Sequence, residues 1–137
     1  MSRVVVDASV ALAWCFPDEG SDYADQVLVA LKGHLTAVPS VWGLEVANAI
    51  LVGERRKRLR QPEIQRFVNL VDGLSIVQDT QVVGENLSSV LPVARRYNLS
   101  AYDAAYLELA IRLAAPLATL DLRLRKAATQ AEIRMFP

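Results

Sequence analysis

Four carboxylates stand where carboxylates are costly. Asp7 follows three valines in "RVVVDASVALAW", and apolar sequence resumes directly after it. A charge in such surroundings needs a hydrogen-bonding partner, a proton or a cation. Glu45 lies in "VWGLEVANAILVG", whose only strongly polar side chains are Glu45 and Asn48. Three residues apart, those two share a helix face. A helix apolar nearly all round is expected to be buried, so Glu45 would need a metal, a proton or a distant arginine. Asp103 follows Ser100 at a capping-box spacing in "SAYDAAYLELA" and could serve only the helix start. Asp121 ends "PLATLD" as Asp7 ends "RVVVD", and each could cap the helix that follows its strand. Glu108 lies roughly 140° around the helix from Asp103. It is spaced to pair with Arg112, which predicts a surface salt bridge.

Taken singly, each of the four acids has an ordinary structural explanation. Together they suggest more, because none has a lysine or arginine beside it in sequence on the same face. Converging carboxylates repel and raise one another's pKa. A hard divalent cation removes that cost, and oxygen ligands suit Mg²⁺ or Mn²⁺.

Convergence requires a fold that brings them to one edge. "RVVVD", "LTAVP", "LSIVQ" and "PLATLD" read as short buried strands, and "EIRMF" as a further short one. Helices are expected over "ASVALAWCF", "SDYADQVLVALKG", "SVWGLEVANAILVGERRKR" with Ser40 as N-cap, and "QPEIQRFVNLVDG". Others follow over "TQVVGENLSSVLPVARRYN", kinked or interrupted at Pro92, then "LSAYDAAYLELAIRLAA" and "LRLRKAATQA". Strands alternating with helices imply a three-layer α/β/α domain on a short central parallel sheet. Ligands in such sheets bind beyond the carboxyl ends of the strands, where Asp7 and Asp121 fall.

The chain of 137 residues is expected to be one domain, residues 1–137, and 53% of its residues are hydrophobic. No run approaches the roughly 20 apolar residues of a spanning helix. Asp7 falls where a signal peptide would need apolar sequence, which makes a cytoplasmic location the expectation. The single cysteine, Cys15, excludes an intramolecular disulfide and any zinc site built on several cysteines. The one histidine, His34, reads as an ordinary loop or strand-edge residue. Net charge is zero, yet Arg55, Arg56, Lys57, Arg58, Arg60 and Arg66 crowd into one span, and Arg123, Arg125 and Lys126 into another. These are either solvated helix ends or phosphate-contacting surfaces.

"VVVDASVALAWCFPDE", "VPSVWGLEVANAI", "LSAYDAAYLELA" and "PLATLDLRL" resemble, in order and over almost the whole chain, the PIN-domain ribonucleases, above all the VapC-type toxins of bacterial toxin–antitoxin pairs. The resemblance implies a metal site on Asp7, Glu45, Asp103 and Asp121, lined by Ser9, Asn48 and Thr119. It implies Mg²⁺- or Mn²⁺-dependent endonucleolytic cleavage of RNA. Attack by water rather than the 2′-hydroxyl would leave a 5′-phosphate and a 3′-hydroxyl. Arg55, Arg56, Lys57, Arg58, Arg60, Arg123 and Arg125 are the candidates for holding the RNA backbone. The resemblance also implies two protein partners: an antitoxin, which often places an arginine near the acids, and a second copy of the chain. Trp14, Phe16 and Trp42 could lie at such a surface or in the core.

The alternatives differ in what they need. A phosphoacceptor receiver wants an acidic pair and a strand-end lysine, and Ala8 stands beside Asp7. An aspartyl-phosphate phosphatase wants an aspartate where Ser9 stands. A PIN-like module that binds RNA or protein without cutting, or one that cuts DNA, shares all four acids.

Overall fold

The computed structural model describes residues 2–137. Four strands form one parallel sheet: β1 (Arg3–Val6), β2 (Leu35–Val38), β3 (Ile76–Gln78) and β4 (Leu117–Ala118), in the order β3-β2-β1-β4. The helices are α1 (Ala8–Cys15), α2 (Asp22–Ala30), α3 (Trp42–Arg55), α4 (Gln61–Asp72), α5 (Val83–Tyr97), α6 (Ala101–Leu113) and α7 (Leu122–Gln130), with a 3₁₀ turn at Pro17–Glu19.

Strand alternation generates the layers. Val5 points into one core with Val38, Trp42, Phe67, Leu107 and Leu124. Val4 and Val6 point to the opposite side, where Ala24 and Val27 of α2 and its C-cap Leu31 cover them together with Ala118 and Phe136. The three-layer α/β/α arrangement expected from the sequence follows from these two apolar faces. The "EIRMF" segment contributes only a single bridge, Leu117 to Met135, rather than a fifth strand.

Three local expectations are corrected. Ser40 does not cap α3; Val41 occupies that position in helical conformation, without a side-chain hydrogen bond. Pro92 does not interrupt α5, which is helical from Val83 to Tyr97. Pro92 and Ser88, whose carbonyl loses its donor, both lie on the exposed face of the helix, while Val90 on the inner face is buried. Helix α3 is not buried all round: Trp42, Val46 and Gly53 face inward, whereas Leu44 is 76% exposed. Its outward apolar residues made the sequence look like a core helix.

Phe16 and Trp42 belong to the interior, and Trp14 is partly buried against it. The Trp14 indole donates to the Ala24 carbonyl at 2.8 Å, and Phe16 and Trp42 are buried. Cys15 is a buried core residue, as its free thiol suggested.

Candidate metal centre

Asp7 leaves β1 and Asp121 follows β4, and these strands are neighbours. The Asp7 N–H donates to the Ala118 carbonyl at 3.1 Å, which locks the two strand ends together. The Asp7 side chain, 5% exposed, is then fully engaged. Its Oδ1 accepts from the Ser9 hydroxyl at 2.6 Å and the Val10 N–H at 3.3 Å, and its Oδ2 from the Thr119 hydroxyl at 2.5 Å. Both hydroxyls accept in turn from the neighbouring turn. Ser9 Oγ takes the Leu120 N–H at 3.0 Å, and Thr119 Oγ1 takes the Asp121 N–H at 3.0 Å. Ser9 and Thr119 therefore hold the Asp7 carboxylate and the β4–α7 turn in one network. Asp121 caps α7 through its Oδ1, which accepts from Arg123 N–H at 2.8 Å and Leu124 N–H at 3.2 Å. The capping roles foreseen for Asp7 and Asp121 are both present.

Electrostatics tie the acids together. Burial pushes the Asp7 carboxyl up to about 6 against the lowering effect of its three donors, and the Asp121 charge adds to the rise. Asp103, which begins α6 behind the Ser100 cap at 3.1 Å, is raised by burial and again by Asp121, while Arg123 lowers it. The Asp121 charge thus acts on both Asp7 and Asp103. Glu45 joins from α3: its Oε1 accepts from the Tyr106 hydroxyl at 2.6 Å. Burial and the carboxylates of Glu45 and Asp7 hold that phenol well above its usual pKa. Sequence reasoning passed over Tyr106. The available signal was its position one turn after Asp103, on the same face of α6.

The donor set consists of carboxylate and hydroxyl oxygens, with neither thiolate nor imidazole, and suits a hard divalent cation. Cys15 is buried in the core, and His34 pairs with Ser2 Oγ at 2.7 Å. Oδ2 of Asp121 and Oε2 of Glu45 carry no hydrogen bond among the described residues. Among these residues, no group of three or more acids, histidines or cysteines is already drawn together at metal-binding distance. The like charges stand apart. Asn48 lies exposed on α3, one turn beyond Glu45.

The basic residues divide into committed and available groups. Arg58 pairs with Asp18 at 2.9 Å and Glu19 at 2.6 Å and stacks on the Phe16 ring at 4.4 Å. Arg125 donates to the Thr119 carbonyl at 2.9 Å and lies over the Tyr23 ring at 4.9 Å. Both are among the residues expected to contact RNA, and both make these contacts within the fold. Arg60 reaches Glu63 at 3.4 Å. Arg55, Arg56 and Lys57 are exposed but stand at the far end of α3, about 15 Å along the axis from Glu45 at 1.5 Å per residue. Arg123 and Lys126 are exposed on α7, and Arg123 acts on Asp103. The Glu108–Arg112 pair forms at 2.9 Å, but Glu108 is 5% exposed rather than on the surface, and Arg112 also pairs with Asp79 at 2.7 Å, just beyond β3.

A parallel α/β/α sheet with this acidic carboxyl edge defines the class, and the sequence matches the PIN domain over residues 4–130. The chain belongs to the PIN domain family. It is 36% identical over 123 residues to Ribonuclease VapC9 of Mycobacterium tuberculosis, covering 88% of this chain and 87% of that protein. It is 29% identical over 122 residues to Ribonuclease VapC3 of Pyrobaculum aerophilum, covering 89% and 92%. Its fold is similar to that in the crystal structure of VapBC2 from Rickettsia felis bound to a DNA fragment from their promoter. The TM-score is 0.66 at 12% identity, over 98% of this chain and 97% of that one.

Proposed function

We propose that this protein is a metal-dependent endoribonuclease toxin of the VapC type, restrained by a cognate antitoxin. The observation that carries the proposal is the placement of Asp7 and Asp121 at neighbouring strand ends, with the Asp121 charge acting on Asp103 and Glu45 hydrogen-bonded to Tyr106 of the same helix as Asp103, at the carboxyl edge of a PIN domain sheet. The ribonuclease names of two relatives covering most of this chain support the substrate class.

Asp7, Glu45, Asp103 and Asp121 would hold Mg²⁺ or Mn²⁺, directly or through water. The bound cation would supply an acidified water and positive charge at the reacting phosphate. Ser9 and Thr119 hold the Asp7 carboxylate in place, and the Ser9 contact to Leu120 fixes the β4–α7 turn. Asn48 is exposed on α3 one turn after Glu45. Arg123 and Lys126 on α7 would receive the RNA backbone beside the acids, with Arg55, Arg56 and Lys57 reaching a more distant part of the strand.

Two apolar surfaces remain uncovered. Leu44 and Leu51 are exposed on α3 and Val68 on α4, and exposed Leu87 and Leu91 of α5 line a groove with Tyr102 of α6. They give the antitoxin and a second copy of the chain surfaces to occupy. No helix of the described residues is long and apolar enough to cross a membrane, and we place the protein in the cytoplasm with its RNA substrate.

The test is to incubate purified protein with a structured RNA pool, with Mn²⁺ or Mg²⁺ and with chelator, and to analyse the ends. Metal-dependent fragments with 5′-phosphate and 3′-hydroxyl termini are expected. A 2′,3′-cyclic phosphate would contradict the proposal, since it requires attack by the RNA itself.

A further inference from the structure

We propose that Tyr106 is a positioning residue for the metal centre: its hydroxyl fixes the Glu45 side chain so that the remaining carboxylate oxygen is presented to the cation. The inference rests on the metal-dependent reading of the site.

Glu45 projects from the first turn of α3, where no side chain caps the helix and the outer face is open to solvent. A glutamate there has several rotamers and water to satisfy it. The single hydrogen bond that its side chain makes among the described residues is the one from Tyr106, at 2.6 Å. This bond spans α3 and α6 and joins Glu45 to the helix that carries Asp103 one turn earlier. The phenol ring is 2% exposed, so packing explains the ring. Packing does not explain the hydroxyl: a phenylalanine would fill the same space without a buried polar group to satisfy. The bond takes Oε1 and leaves Oε2 without a partner among the described residues. A carboxylate held at one oxygen and open at the other is the arrangement in which outer residues orient metal ligands. Asp7 is held similarly by Ser9 and Thr119, so two acids of the site are each braced by hydroxyl donors.

The test measures Mn²⁺ affinity directly, by the paramagnetic signal of free Mn²⁺, in wild type, Tyr106→Phe, Glu45→Ala and the double variant. Tyr106→Phe keeps the ring and hence the fold. Its affinity should fall about tenfold, in the range found for residues that orient ligands. Cleavage by Tyr106→Phe should need correspondingly more Mn²⁺ for half-maximal rate, with the rate largely restored at saturation. In the Glu45→Ala background the same change should have no further effect, because Tyr106 acts through Glu45. Equal Mn²⁺ affinity in wild type and Tyr106→Phe would overturn the inference and leave the nuclease reading standing, as would a full additional loss on top of Glu45→Ala. A wild type that binds no Mn²⁺ would overturn both.

Discussion

Asp7 is held by three donors and still lies above its ordinary pKa, because burial and Asp121 outweigh the hydrogen bonds. The consequence for stability has a definite sign. A folded-state pKa of about 6 against 3.8 means that protonation favours the folded chain. This contribution is fully present below about 4 and is lost as pH rises through 6. The ionised carboxylate then costs on the order of 3 kcal/mol in the metal-free protein. Asparagine caps nearly as well and carries no charge. With chelator present, Asp7→Asn should therefore be more stable than wild type at pH 7.5, and the difference should shrink toward pH 5. Denaturant unfolding at both pH values checks this, and an equal difference at both would count against it. Each acid was visible in the sequence as a charge in apolar surroundings. Tyr106 was not, since a tyrosine on an apolar helix looks like core until its hydroxyl partner on another helix is known.

At the scale of elements, the strand ends were legible because unbroken β-branched runs and a following acid mark the carboxyl edge of a parallel sheet. The failures came where tertiary context overrode local signals. Pro92 lies on the exposed face of α5, as does Ser88, whose carbonyl it deprives of a donor. Two element contacts carry predictions. Gly53 lets α3 approach the end of α1 so closely that a Cβ would lie 2.5 Å from the Phe16 ring. Gly53→Ala should destabilise the protein by about 1–3 kcal/mol through overpacking, despite alanine's better helix propensity. Thermal unfolding reads this, and a stabilised variant would refute the close approach. Arg112 joins Glu108 on α6 to Asp79 beyond the edge strand β3. Arg112→Met strands the buried Glu108 carboxylate and should cost on the order of 2–3 kcal/mol. Glu108→Gln in the same background should recover part of the loss, and no recovery would indicate that packing, not charge, is at stake.

At the scale of the molecule, zero net charge conceals an acidic edge beside the basic face of α7. The sequence showed two basic clusters but not that Arg58 pairs with Asp18 or that Arg125 lies over Tyr23, both far away in sequence. Replacing Arg123 and Lys126 with alanine should weaken RNA binding in chelator and flatten its dependence on salt by about one to two phosphate contacts. Arg58→Ala should leave that slope unchanged. The reverse pattern would place the RNA along the far end of α3. The central claim is that the acids hold a cation that cleaves RNA. It is tested most directly by comparing wild type and Asp7→Asn, both verified as folded, on a structured RNA pool with Mn²⁺ or Mg²⁺ and with chelator. Cutting by wild type alone, abolished by chelator, is the predicted result. Equal cutting by both proteins, or cutting that persists in chelator, would contradict the account.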